Sequence, residues 1–235
     1  MFTSTPILRD LERLMQQIPN FAPRGYGVMV LCEHDYSVKD CDCAYCSFHT
    51  GRGKNIRCML ERCVCIKERI QAGAATQREV LTETLSTISY PPFQRRLKQH
   101  LKESEERPME FQDTKHRLIF AEAIQKRDIK NYALMSALYL LTADLKLWNV
   151  ARRYMEGNSI HFSKIKLCGI HPDGYTLFCG AKDLYLGTKH LSVGDLSDPE
   201  LITPKMFALI CNAMAIRRFG LGAINYRKDG SEENA

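Results

Sequence analysis

The apolar positions of this chain fall mostly at helical spacing, with one short extended stretch near the N-terminus, and this pattern predicts a mainly α protein. Thr5-Pro6 sets a capping residue before a proline at the first helical position. Leu8, Leu11, Leu14, Met15 and Ile18 follow three and four apart, predicting a helix to about Gln17. Gly27 to Leu31, bounded by Pro23 and Gly25 on one side and acidic residues from Glu33 on the other, reads as a short strand. Val64 to Ile70 predicts a helix ending near Gly73. Thr76-Gln77-Arg78-Glu79 is a capping box, and Val80, Leu81, Leu85 and Ile88 then share one face. From Phe93 to Glu106 only Phe93, Leu97 and Leu101 interrupt the charges, predicting an exposed connecting helix, with a domain boundary at Arg107-Pro108.

Asp113 is placed to cap the next helix, with Leu118, Ile119, Ala121, Ala123 and Ile124 on its buried side. Asn131 to Leu141 is apolar nearly all round, as a central helix should be. Asp144 to Met155 is predicted to pack back on it as a helical hairpin, and Ile160 to Leu167 to be a short extended interruption. Gly174 to Leu186 resumes as helix, with Asp173 as its expected cap. Thr203-Pro204 starts the last long helix, and Gly220 stops it after Phe219. The expected organisation is an N-terminal part, 1–107, holding a small zinc-stabilised module with a short strand or hairpin. A helical bundle, 108–226, and a frayed polar tail, 227–235, complete it.

With 235 residues and 45% apolar content the chain can bury a sizeable core. Its longest apolar run, Tyr132 to Leu141, is half of what a bilayer crossing needs, and Asp10, Glu12 and Arg13 break any signal-like N-terminus. A cytoplasmic protein without membrane contact is expected. The net charge of +6 is interleaved along most of the chain. The exception is the stretch carrying Arg52, Lys54, Arg57, Arg62, Lys67 and Arg69 against Glu61 and Glu68 alone. That cluster can neutralise phosphates in a salt-dependent way, or offset the charge of metal-bound thiolates.

Those two options meet at the cysteines. Of ten, seven fall between Cys32 and Cys65, and without a secretory signal metal ligation explains them better than disulfides. Cys43-Ala44-Tyr45-Cys46 has the two-residue spacing that wraps a tetrahedral metal, and Cys58, Cys63 and Cys65 return after a loop containing Gly51 and Gly53. The preferred ligand set is Cys43, Cys46, Cys58 and Cys63, with Cys41 and Cys65 as substitutes. Four thiolates close the shell, so the metal, zinc before an iron–sulfur cluster, would hold the fold rather than act on substrate. Cys168, Cys179 and Cys211 stand apart and are expected as small buried hydrophobes.

The pattern Cys43-x2-Cys46-x-Phe48-His49-x-Gly51-x-Gly53, then Cys58-x-Leu60-x2-Cys63-x-Cys65, resembles a cysteine motif recurring in proteins of gut clostridia and their mobile elements. Lys130 to Met135, Tyr139 to Asp144 and Lys182 to His190 are similar to members of the same group, so the likeness covers most of the chain. It implies a bacterial, mobile-element origin and an accessory role such as DNA handling or inhibition of host defence.

Other candidate chemistry is sparse. Arg95-x4-His100 matches the loose spacing of one class of helical ribonucleases, although a solvated helix face explains it too. Cys168-x2-His171 with Cys179 invites a second metal or a thiol–imidazole pair, but His171-Pro172-Asp173-Gly174 is a turn before a helix. Arg217 and Arg218, with Arg227 and Lys228, suit either a phosphate backbone or a helix C-terminal dipole. There is no glycine phosphate loop, no H-E-x-x-H and no nucleophile elbow. The leading expectation is therefore a non-enzymatic binding protein that docks on nucleic acid or a host nucleoprotein. Second comes an anti-defence inhibitor, such as an anti-CRISPR, acting on a defence protein through protein contacts; third, a nuclease.

Overall fold

The computed structural model describes residues 49–50, 57–58, 66–71, 73, 75–106, 109–224 and 226. The chain divides into two units, Met1–Asp35 and Tyr36–Ala235, and every described residue belongs to the second. The helix expected to Gln17, the strand at Gly27 to Leu31, the Arg107-Pro108 boundary and the tail from Arg227 lie outside the described residues.

Near the start of the described part, β1 (His49–Thr50) pairs antiparallel with β2 (Arg57–Cys58), His49 opposite Cys58 and Thr50 opposite Arg57. The rest is mainly α. The helices are α1 (Ile66–Gln71), α2 (Gln77–Leu85), α3 (Pro91–Glu106), α4 (Thr114–Ile124), α5 (Tyr132–Thr142) and α6 (Leu145–Ala151), followed by a 3-10 turn (Arg152–Tyr154). A second antiparallel pair, β3 (Met155–Glu156) and β4 (Ser159–Ile160), precedes α7 (Pro172–Leu186), α8 (Val193–Ser197) and α9 (Pro204–Phe219).

The chain's punctuation explains these bounds. Thr76 and Glu79 form the expected capping box of α2, and Asp113, Asn131, Asp144 and Thr203 each accept a backbone N–H of the helix they open. The cap of α7 is His171 rather than Asp173: its Nδ1 accepts the Asp173 N–H at 3.3 Å, with Pro172 at the first helical position. Ser192 and Asp195 make a second capping box for the five-residue α8, an element with too little periodicity to stand out in the sequence.

Burial follows from apolarity. Every residue of α5 from Leu134 to Thr142 is buried, and this helix packs most extensively on α7 and α9, which sets it at the centre. α9 ends at Gly220, whose φ of 76° lies in the left-handed region; a Cβ there would also sit 2.6 Å from the Tyr132 ring. Two residues on, a Cβ at Gly222 would come 2.4 Å from the backbone oxygens of Ile70 and Gln71, so glycine lets the closing 3-10 turn (Leu221–Ile224) lie against α1.

Helices on both sides of residues 107–108 contribute to one hydrophobic core, from Ile70, Leu81 and Leu85 to Phe120, Leu138 and Ile216. The exposed connecting helix expected from Phe93 to Glu106 is instead part of it: Phe93 and Leu97 are fully buried, Phe93 packing edge-on against Phe207 with ring centroids 5.7 Å apart. Two large apolar side chains one turn apart suffice to dock a helix, however charged its other faces. The buried face of α4 also differs from expectation. His116, Phe120 and Ile124 point inward, whereas Leu118 is 65% exposed.

His116 is explained by a polar network inside that core. Its Nδ1 accepts the Gln112 N–H at 3.2 Å, which makes Nε2 the protonated nitrogen donating to the Tyr139 carbonyl at 2.8 Å. Gln77 and Asn212 bond each other and share the Met109 carbonyl, and Asn212 donates on to the Tyr139 hydroxyl, which reaches the Glu110 carbonyl. Each polar side chain of this network has a partner, so the network positions the segment after residue 108 on α2, α5 and α9.

Candidate functional site

Of the cysteine module, β1 and β2 are described as backbone. Cys41, Cys43, Cys46, Cys63 and Cys65 lie outside the described residues, as do Arg52, Lys54 and Arg62. In the chain, residues 51–56 stand between the two paired strands, whereas Cys41, Cys43 and Cys46 precede β1 and Cys63 and Cys65 follow β2. The last two members of the basic cluster lie on α1 and part company. Lys67 is exposed, but Arg69 turns inward and grips Glu79 with both guanidinium nitrogens, Nη1 to Oε1 at 3.0 Å and Nη2 to Oε2 at 3.2 Å. Glu79 also accepts the Thr76 N–H at 2.7 Å, so Arg69 anchors α1 to the start of α2.

Arg95 and His100 do come together, in a groove of about 440 Å³ between α3 and the start of α9, with Arg96, Gln99, Glu103 and Phe207 in its walls. Arg96 is the side chain that builds it. Its Nη1 donates to the carbonyls of Leu196 at 2.8 Å and Asp198 at 2.9 Å, its Nη2 donates to that of Ile202, and its guanidinium carbon lies 4.6 Å from the Phe207 centroid. One cation thus ties α3 to the whole α8–α9 connection. His100 stands edge-on to the same ring at 5.8 Å, and its Nε2 is enclosed with no hydrogen-bond partner. Burial pushes the His100 imidazole below its ordinary value; nearby Glu103 opposes this and Arg96 reinforces it. What remains for a ligand is Arg95, exposed on the rim, and the Glu103 carboxylate one helical turn beyond His100, held by Gln99 at 2.9 Å. Opposite charges about two turns apart along α3 suit a zwitterionic or peptide-like group better than a phosphodiester, which Glu103 repels.

The other candidates are occupied by structure. Cys179 and Cys211 are buried as expected, but Cys168 is exposed, being in the loop before α7. Burial pushes the Cys179 and Cys211 thiols up, away from reactive thiolate. With His171 committed to the α7 cap, Cys168, His171 and Cys179 do not assemble, and no group of three or more metal-ligating side chains forms among the described residues. Arg217 donates to the Leu184 carbonyl at 3.0 Å and Arg218 to the Glu83 carbonyl at 2.6 Å and the Glu83 carboxylate at 3.3 Å. They therefore complement helix C-termini, though of α7 and α2 rather than of their own helix.

One cluster was not legible from spacing. Asp183 near the end of α7 accepts from the Thr188 hydroxyl at 2.7 Å, from the backbone N–H of His190 and Leu191 at 2.9 Å, and lies 2.7 Å from His190 Nδ1. Burial raises its carboxyl, but these hydrogen bonds more than offset that and hold it below the usual range. Lys182 Nζ lies 3.2 Å from the other imidazole nitrogen, so both His190 nitrogens are engaged and the cluster locks the loop after α7. An acidic residue four positions before a helix-ending glycine is the signal that would have found it.

Comparison with protein-family models, curated proteins and solved structures finds no match. No helix among the described residues is long and apolar enough to cross a membrane.

Proposed function

We propose that the chain is a non-enzymatic binding protein of a bacterial mobile element, in which a structural zinc organises a basic segment that docks on nucleic acid or a nucleoprotein. The observation that carries this reading is the β1–β2 pair. Antiparallel pairing of His49 with Cys58 returns the chain, setting Cys58 opposite the residue that follows Cys46 by three in the sequence. A return of the chain between the two cysteine groups is what one tetrahedral site built from Cys43, Cys46, Cys58 and Cys63 requires. The basic residues Arg52 and Lys54 fall in the sequence between the two strands.

The test is salt-dependent binding. A mixed DNA or RNA probe is expected to bind with affinity that falls steeply with salt, and to bind more weakly after joint replacement of Arg52, Lys54 and Arg57 by Ala. Elemental analysis is expected to give about one zinc per chain; stoichiometric iron with absorbance near 400 nm would replace it by a cluster. Absence of any shift at low salt, or binding that survives removal of the metal, overturns the reading. A second reading, a defence inhibitor acting through protein contacts, draws on the mixed charges of the α3–α9 groove. It predicts a stable complex with a purified defence effector that Arg95→Glu disrupts. The third, a nuclease using Arg95 and His100, draws no support from an imidazole whose Nε2 is enclosed against Phe207.

A further inference from the structure

A second groove, of about 480 Å³, opens where the C-terminal turn of α4, the end of α6 with its 3-10 turn, and the β3–β4 turn meet. Its chemistry differs from that of the first. Lys126, Arg127 and Arg152 line it against the single carboxylate of Glu122, an excess of two positive charges, and its wall includes Trp148, half-buried and the one tryptophan in the sequence. We propose that this groove binds a nucleotide, its base against Trp148 and its phosphate between Lys126 and Arg152.

The frame around it is built and fixed. Arg127 Nε donates to the Ala123 carbonyl at 2.9 Å and Nη1 to the Gly157 carbonyl, tying the end of α4 to the β3–β4 turn. The Asp128 N–H donates to the Asn158 side chain at 3.1 Å, and the Tyr185 hydroxyl to the Asn158 carbonyl at 3.2 Å, so α4, the turn and α7 are held together. Arg127 also satisfies a carbonyl at the C-terminus of α4, an end whose partial negative charge would otherwise disfavour an anion.

Two cations are left over from this construction. Lys126 and Arg152 are exposed, and neither makes an ion pair or side-chain hydrogen bond among the described residues. Lys126 lies in the turn that follows α4, four residues after Glu122, yet the two do not pair. Arg152 follows Trp148 by four residues, its N–H closing the last turn of α6 on the Trp148 carbonyl, so guanidinium and indole share a face. An aromatic wall flanked by uncommitted cations in a concave, positively charged site is the combination that holds a base by stacking and its phosphate by charge. A free nucleotide and one nucleotide of a single strand present the same chemistry. The site shares no residue with the cysteine module and does not rest on the docking function proposed for it.

Trp148 reports on its own site, because it is the only tryptophan. Adenosine monophosphate, inorganic phosphate and a short mixed-sequence single strand are titrated at low salt into the full chain, following tryptophan fluorescence and, with labelled nucleotide or strand, anisotropy. Quenching by the mononucleotide identifies a free-nucleotide site; quenching by the strand alone identifies a nucleotide within a chain. In either case Lys126→Ala/Arg152→Ala is expected to weaken binding about tenfold or more, and Trp148→Leu, followed by anisotropy, by a similar factor. Should Trp148→Leu fold poorly by thermal unfolding, Trp148→Phe keeps a ring and is expected to lose less. Arg52→Ala/Lys54→Ala is expected to leave mononucleotide quenching intact, which separates failure here from failure of the cysteine-module reading. Equal effects of inorganic phosphate, no signal from nucleotide or strand, or undiminished binding by the Lys126/Arg152 double variant overturns the proposal.

Discussion

The two grooves of the helical unit are made the same way and left in different states. In each, one guanidinium is tied to backbone carbonyls: Arg96 joins α3 to the α8–α9 connection, and Arg127 joins the end of α4 to the β3–β4 turn. After that, the α3–α9 groove retains Arg95, Glu103 and the His100 imidazole, whereas the α4–α6 groove retains Lys126 and Arg152 with one carboxylate and an indole. The difference teaches that an arginine's presence in a groove says little until its N–H groups have been accounted for. Function is carried by the charge left after the frame has been assembled.

The largest expected effect breaks the frame of the first groove. Arg96→Ala removes three charge-assisted hydrogen bonds and a cation–π contact, exposing three carbonyls to partial solvent, and should destabilise by about 3 kcal/mol in chemical denaturation. Arg95→Ala, one residue away, should stay within about 0.5 kcal/mol. Arg127→Ala, with two carbonyls rather than three, should fall between them at about 1.5 kcal/mol. Equal costs for Arg95 and Arg96 would erase the distinction between frame and residue.

Acid should separate the regions next. Burial pushes His116, under α5, down to about 4, outweighing the Tyr139 hydrogen bond and Asp113 that favour its charged form. Its folded value is below the unfolded value near 6.5, so the neutral form's contribution is complete above pH 6.5 and is lost as pH falls toward 4. By pH 5 the loss is about 2 kcal/mol. His116→Gln, which keeps a donor for the Tyr139 carbonyl, should flatten most of this slope in denaturation curves at pH 7 and pH 5. His100, lowered by burial in the α3–α9 groove, adds a further loss of the same sign, which His100→Phe removes. The α4–α6 groove has no histidine in its lining and should contribute none.

These contrasts mark where the sequence was legible. Capping residues and apolar period gave α2, α5, α7 and α9 close to their observed bounds, because each needs only its own residues to specify it. The docking of α3 is not legible because two buried side chains weigh more than the helix's seven charged residues, nor is the inward turn of His116, because its partners come from α5 and the segment before α4. The Arg95–His100 spacing did bring those residues into one groove. Which neighbouring arginine builds that groove was not legible, since Arg96 is defined by carbonyls a hundred residues away. Trp148 and Arg152 share a helix face at a readable interval, but Lys126 and Arg127 arrive from the turn after α4, so the charged groove around the lone tryptophan had no linear signature.

The smallest effect on stability is the sharpest test of what is left over. Arg152 is exposed and makes no side-chain bond among the described residues, so Arg152→Ala should move the unfolding free energy by less than about 0.5 kcal/mol. If it holds a phosphate, the same change should lower the slope of log affinity against log salt for a single strand by about one, the counterion released by one phosphate contact. Arg127→Ala should do the reverse, costing stability while its direct share of the salt slope is small, because its N–H groups are already committed to carbonyls. Parallel behaviour of the two arginines, both lowering stability or both leaving the salt slope unchanged, would mean that frame and leftover charge are not separable in this groove.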